Sequence, residues 1–141
     1  AMAKLADACL SATEITDLVL THFHADHIGS LPLLIMDMWL EKRQALLTIH
    51  GLRVTLTKAK QLLDLFGWQE WKNMYPVVFH EVADEQVEEV INGTDIRVVA
   101  GLVQHLIPTI GLRFEFGSGR VVTYSCDTEP CEALMTLASV W

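Results

Sequence analysis

The run "THFHADH", Thr21 to His27, gathers three of the chain's six histidines and an aspartate into one short stretch. In extended backbone, side chains two residues apart share a face, so His22 and His24 point the same way. If the chain then bends into a helix, Asp26 and His27 approach the same place from another direction. Two histidines can hold one metal ion while the Asp-His pair holds a second beside it. This differs from H-E-x-x-H, in which both histidines lie on one face of a helix. Imidazole mixed with carboxylate suits zinc and also admits manganese or iron. The residues alone leave a second reading open, a histidine-rich loop with no ion.

The flanks are those of a strand entering a helix. In "ITDLVLTH" the contiguous apolar Leu18, Val19 and Leu20 predict a strand covered on both faces. Downstream, Ser30 is a candidate cap and Pro32 is tolerated in a first turn. Leu31, Leu34, Ile35, Met38 and Trp39 then recur at helical spacing. Ahead of the strand, Met2 to Leu10 predicts a short helix with Met2, Leu5 and Cys9 inward. Beyond it, "ALLTIH" reads as a strand. Thr55 to Phe66 reads as a helix with Ala59, Leu62, Leu63 and Phe66 on one face, ended by Gly67.

"YPVVFHEV" predicts another strand, after which the pattern changes to hairpins. Asn92-Gly93 supplies a turn signal, and "DIRVVAGLVQH" runs as a strand up to His105. "GLRFEF" alternates Leu112, Phe114 and Phe116 against Arg113 and Glu115. "GSG" turns the chain, and "RVVTYS" returns to deliver Asp127 at a strand end. Interleaved strands and helices with late hairpins predict an α/β layered sheet, and 141 residues suit one domain.

Charge narrows the partners. The chain carries 10 Lys+Arg against 18 Asp+Glu, a net charge of -8. Proteins that grip nucleic acid need a basic surface to neutralise phosphates, and the densest basic cluster here is "EKR" at 41–43. Tight nucleic-acid binding is therefore disfavoured. No apolar run reaches the roughly 18 residues of a membrane span. The first residues lack both the apolar stretch and the basic flank of a signal peptide. Cys9, Cys126 and Cys131 are odd in number and scattered, so no disulfide framework is implied. A reduced, cytoplasmic setting is the expectation.

Three segments, in order, carry a resemblance. "THFHADH" resembles the H-x-H-x-D-H signature of the metallo-β-lactamase superfamily. "VQHLIPTIGLRFEF" is similar to the third histidine motif of its ribonuclease Z-like branch. "TYSCDTEPCEAL" is similar to that branch's S-G-D-T-x-P-C segment with its bridging aspartate. The resemblance implies part of a layered αββα fold and two divalent metals, zinc first, with manganese or iron as alternatives. It assigns His22, His24 and His105 to the first metal, Asp26 and His27 to the second, and Asp127 to both. It also implies a zinc-dependent hydrolase in which Asp26 and Asp127 orient a hydroxide, formed from a water whose pKa falls towards ~7.

Beside that resemblance stand plainer readings. His105 taken alone could be a structural histidine, and Asp127 could cap a helix over "TEPCEAL". His50 and His80 lie outside every motif and are read as structural. Cys126 stands where the branch usually has glycine, and is either a small buried residue or a further ligand. Arg113 matches the branch's arginine and is expected to form an ion pair within the sheet.

The resemblance also implies an incomplete domain. Members of the branch have strands ahead of the position matching Met2, a later His-Glu-Ala motif, and a final histidine for the second metal. On that alignment the second metal is one ligand short, turnover is slow, and exposed strand edges favour a homo-oligomer. The long arm of tRNA-processing members is also missing, since 21 residues (106–126) separate His105 from Asp127. The expected substrate is a small molecule or other phosphodiester. Two alternatives stay open: a hydrolase of small esters, lactones or thioesters on the same fold, or a metal-binding fragment that self-associates.

Overall fold

Leu47 and Ile49 face one way along their strand, and His50 and Leu52 face the other, which sets the layering of the whole molecule. The computed structural model describes residues 2–139. The chain runs α1 (Met2–Asp7), β1 (Asp17–Leu20), α2 (Ala25–Ile28), α3 (Leu31–Leu40), β2 (Leu47–Leu52), α4 (Arg53–Asp64) and β3 (Val77–Val82). It continues through β4 (Glu88–Asn92), β5 (Ile96–Val103), β6 (Thr109–Phe116), β7 (Val121–Tyr124) and α5 (Glu132–Ala138).

Among the described residues there are two sheets. One is parallel, in the order β1-β2-β3, and the other antiparallel, in the order β4-β5-β6-β7. Leu18, Leu20, Leu47, Ile49, Val77 and Phe79 meet Leu34, Ile35 and Met38 of α3 and Leu56, Ala59 and Leu63 of α4 in one core. The opposite positions, Val19, Leu52 and Val82, meet Val98, Ala100, Ile110 and Leu112 of the second sheet in another. The central strand β2 is thus covered on both faces, as the middle of a parallel sheet requires, while the edge strand β3 leaves Val78 49 % exposed. On the far side of the second sheet Leu137 of α5 is 1 % exposed, and a Cβ placed on Gly111 would lie 3.1 Å from its Cδ2. The order of layers is helix, sheet, sheet, helix, matching the αββα expectation.

Arg113 links the last two layers. Its guanidinium donates from Nε to Glu115 at 2.7 Å and from Nη1 to the carbonyls of Leu137, Ala138 and Ser139 at 3.2, 3.3 and 2.8 Å. The ion pair within the sheet is there. The same cation also satisfies the carbonyls at the end of α5, which have no partner inside the helix.

Several local expectations are corrected. Ser30 makes no side-chain cap bond. Its φ of -91° and ψ of 0° carry the chain from α2 into α3 without the extended geometry a capping side chain needs. The second long helix begins at Arg53, not Thr55, and ends at Asp64, with Leu62 only partly buried. Gly67, left-handed at φ 61°, stops the chain as expected, but Phe66 lies past the last turn and is 53 % exposed. Cys9 is also exposed, because α1 ends at Asp7 and Cys9 itself is left-handed at φ 55°. Leu5 does pack on the core, and the Met2 side chain lies outside the described residues. The β4–β5 connection is wider than a two-residue Asn-Gly turn. Asn92 pairs with Arg97, Gly93 N–H reaches the Ile96 carbonyl at 2.8 Å, and Gly93 is not left-handed.

Candidate metal centre

Three chain connections meet at one end of the two-sheet stack. β1 ends at Leu20, and α2 begins at Ala25 after an extended His24. The Thr21 carbonyl accepts from Ile110 N–H at 3.1 Å, which holds this segment against β6. β5 and β7 run in the same direction on either side of β6, so the residues after each emerge at the same end of the sheet. His105 follows β5, and Asp127 follows β7. Glu129 N–H and the Thr128 hydroxyl both donate to the Gln104 carbonyl, at 2.8 and 3.0 Å, and tie those two connections together.

His22 is fully buried. Its Nε2 lies 3.0 Å from His24 Nδ1, and His105 Nε2 lies 3.2 Å from that same nitrogen. Asp127 Oδ2 stands 3.7 Å from His22 Nε2 and 3.1 Å from His27 Nε2. His22, His24, His105 and Asp127 each offer a ligand atom within 4.8 Å of the others, and His22, His27 and Cys126 form a second such group. Asp26 is in neither group. Its carboxylate is 3.7 Å from His27 Nε2 on the solvent side, 81 % exposed.

The donor set fits a metal ion. Ligands held 2.0–2.1 Å from a tetrahedral zinc are about 3.3 Å apart, and His24 Nδ1 sits close to that spacing from both His22 Nε2 and His105 Nε2. Burial is the main cause that pulls the His22 pKa below its ordinary value, and the neighbouring His27, His24 and His105 pull it further. Only Asp127 pushes it the other way. A neutral His22 ring, with a lone pair free to ligate, is therefore the favoured state near neutral pH. Asp127 is not a helix cap, because α5 begins five residues later with Cys131 in the cap position.

Two residues that shape the site escaped the sequence reading. Gly29 closes the turn after α2, and a Cβ there would lie 2.3 Å from the Ala25 carbonyl oxygen, too close for any side chain. Thr21 is buried, and its hydroxyl sits 3.2 Å from His22 Nδ1. Cys126, expected as a small buried residue or ligand, is half-buried and left-handed at φ 57°. A non-glycine residue held there costs on the order of 1–2 kcal/mol, which explains why glycine suits this position.

His50 and His80 lie outside the site and pair with each other. They are register partners on β2 and β3 with their Nδ1 atoms 2.9 Å apart, and His50 Nε2 is 2.8 Å from Asp17 Oδ1. With Asp17 as acceptor, His50 donates from Nε2 and accepts His80 Nδ1–H. This polar chain runs across the three strands of the first sheet.

Comparison with known proteins decides the family. Residues 1–139 match the family described as Anti-Pycsar protein Apyc1. The chain belongs to that family. A ribonuclease Z of Mycobacterium sp. (strain KMS) is 32% identical over 147 residues, covering 96% of this chain and 51% of that protein. The short form of human tRNase Z superposes with a TM-score of 0.74 at 20% identity, over 96% of this chain and 58% of that one. The metallo-beta-lactamase fold protein YhfI from Bacillus subtilis gives a TM-score of 0.65 at 16% identity, over 93% and 48%. This Apyc1-family chain is thus ribonuclease Z-like, with the metallo-β-lactamase fold. It spans about half the length of the curated relatives it matches.

Proposed function

We propose that this chain supplies the metal-binding part of a hydrolase that cleaves phosphodiesters. The observation that carries the reading is the Asp127 carboxylate, set between His22 Nε2 and His27 Nε2. His22, His24 and His105 would hold a first divalent cation, most suitably zinc, with manganese or iron as alternatives. His27 and Asp26 would hold a second, with Asp127 in reach of both groups. When bound, such cations would polarise a phosphoryl oxygen and lower the pKa of a water towards about 7. Asp127 accepts a hydrogen bond from the attacking water and fixes its direction. Asp26, open to solvent beside His27, is placed to do the same from the outer side.

A small phosphodiester is favoured over a folded RNA. The β6–β7 hairpin occupies the connection between His105 and Asp127. Four of the five arginines, Arg43, Arg53, Arg97 and Arg113, are engaged with partners within the chain. Arg43 is buried, donating to the carbonyls of Thr13, Ala45 and Leu46. Arg53 pairs with Glu81, and Arg97 with Glu89 and Glu115. The reading also places the protein in a reducing, cytoplasmic setting, supported by three free thiols. No helix among the described residues is long and apolar enough to cross a membrane.

The test is a substrate panel on metal-loaded protein: bis(p-nitrophenyl) phosphate, small natural phosphodiesters, a precursor tRNA, and ester, thioester and lactone substrates. Hydrolysis confined to small phosphodiesters supports the proposal. Hydrolysis of the carbonyl substrates alone would contradict it.

A second proposal concerns assembly. On the edge strand β7, Val121, Val122 and Tyr124 are 40, 41 and 49 % exposed, and an open apolar edge favours pairing with another strand. We propose self-association through this edge. A monomeric mass in light scattering at micromolar concentration would count against it.

A further inference from the structure

His50 and His80 sit on the first sheet, apart from the H-x-H-x-D-H turn, with their Nδ1 atoms 2.9 Å from each other. The far nitrogen of each ring faces a carboxylate. His50 Nε2 lies 2.8 Å from Asp17 Oδ1, and His80 Nε2 lies 3.9 Å from Glu88 Oε1. Both carboxylates are held in place. Asp17 Oδ2 accepts from the Thr16 hydroxyl at 2.8 Å, and Glu88 Oε2 accepts from Ala83 N–H. Among the described residues, no lysine or arginine pairs with either one.

Two neutral rings do not satisfy this chain of groups. If His50 gives its one hydrogen to Asp17, its Nδ1 accepts the Nδ1–H of His80. His80 Nε2 is then left with a lone pair turned towards the Glu88 carboxylate, acceptor facing acceptor. Moving the His80 hydrogen to Nε2 suits Glu88, but leaves two bare Nδ1 lone pairs 2.9 Å apart. A cation between those lone pairs resolves the conflict. Each ring then ligates through Nδ1 and points Nε2–H at a carboxylate, the outer partner that ligating histidines almost always have.

The spacing selects the ion. Nitrogens 2.9 Å apart subtend about 90° at an ion about 2.0–2.1 Å from each. That is the cis angle of a square-planar or octahedral ion, and it is too narrow for tetrahedral zinc. Imidazole in tetragonal geometry suits copper(II) or nickel(II). The His50 side chain is 5 % exposed and that of His80 is 42 % exposed, so one ligand is fixed while the other opens the site to water.

We propose that His50 Nδ1 and His80 Nδ1 form a site for a tetragonal divalent cation of the copper(II) or nickel(II) class. Asp17 and Glu88 are its outer partners, and water fills the remaining positions. The bound ion ties β2 to β3, and through Asp17 to β1. This site is separate from the Asp127 centre and does not rest on the hydrolase reading.

Nickel(II), which thiols do not reduce, is the probe. Zinc-loaded protein is dialysed against it, and both metals are counted by atomic spectrometry. Wild type is expected to gain one nickel per chain with its zinc content unchanged, and nitrogen-15 NMR should show the ring signals of His50 and His80 perturbed. Nickel should also raise the thermal midpoint. His80→Ala, at a half-exposed position, is expected to lose both the nickel and the stabilisation while keeping its circular dichroism spectrum and its zinc. Asp17→Asn is expected to weaken nickel binding about 10-fold.

Wild-type protein that gains no nickel would overturn the inference. So would nickel binding that survives His80→Ala unchanged. Nickel gained only in step with zinc lost would also overturn it, by assigning the ion to the Asp127 centre.

Discussion

Asp127 Oδ2 lies 3.1 Å from His27 Nε2, joining residues 100 positions apart in sequence. The same oxygen is 3.7 Å from His22 Nε2, so one carboxylate reaches both halves of the cluster. A group in that position couples whatever binds on either side.

Replacing Asp127 with alanine is therefore expected to weaken both metals together and to lower phosphodiester hydrolysis by about 100-fold or more, the scale seen when a water-orienting or charge-stabilising group is lost. Isothermal titration with zinc checks the first part and initial rates check the second. Loss of a single metal with the other held as in wild type would place Asp127 on one ion only.

Burial and the neighbouring histidines depress the His22 pKa below its ordinary 6.5, and this has a sign in the stability of metal-free protein. The unfolded chain takes up a proton near pH 6.5, and the folded chain does so only at lower pH. Stability is thus fully present above about 6.5 and declines as pH falls from there towards the depressed folded value. His22→Leu is expected to flatten that decline. Urea midpoints at several pH values between 5 and 8 measure it, and an unchanged slope in the variant would count against the assignment.

At Gly29 the constraint is purely steric. An added Cβ would meet the Ala25 carbonyl oxygen at 2.3 Å, with backbone rather than a flexible side chain in the way. Gly29→Ala should push α2 outward, displacing Asp26 and His27. The expected cost is about 1–3 kcal/mol in stability, with weaker binding of the second metal than of the first. Denaturant unfolding and a zinc titration report the two effects separately.

Leu137 and Arg113 hold α5 on the sheet. Leu137→Ala should cost about 2–5 kcal/mol, the range for a fully buried leucine. Arg113→Met leaves the carbonyls of 137–139 without their donor and Glu115 with Arg97 alone, and should cost about 1.5–3 kcal/mol. Arg97→Met, which removes exposed ion pairs, should cost under about 1 kcal/mol. Chemical unfolding of the three variants ranks them, and equal losses would deny Arg113 its role as anchor of α5.

The local grammar was largely legible. Contiguous apolar Leu18–Leu20 announced a strand covered on both faces, and H-x-H-x-D-H announced a turn that aims side chains at one place. Matching His105 and Asp127 to that turn needed the resemblance, because their convergence depends on β5 and β7 ending at the same side of a sheet. Some features had no sequence signal. The His50–His80 pairing is set by parallel register across β2 and β3, which spacing along the chain cannot reveal. Thr21 looked like an ordinary strand-end threonine, and the bond its hydroxyl accepts from Cys126, 105 positions away, exists only in the fold. Ser30 and Phe66 were misjudged for a shared reason. Where a helix starts or stops within one residue decides whether a side chain caps, packs or faces water, and tertiary context sets that boundary.

The most direct test of the central claim is a metal count. Protein dialysed against zinc and analysed by atomic spectrometry is expected to hold two ions per chain. His22→Ala/His24→Ala should lose the tighter ion, and Asp26→Ala/His27→Ala the weaker one. Wild-type protein that retains no zinc, or a zinc content unchanged by His22→Ala/His24→Ala, would contradict the account.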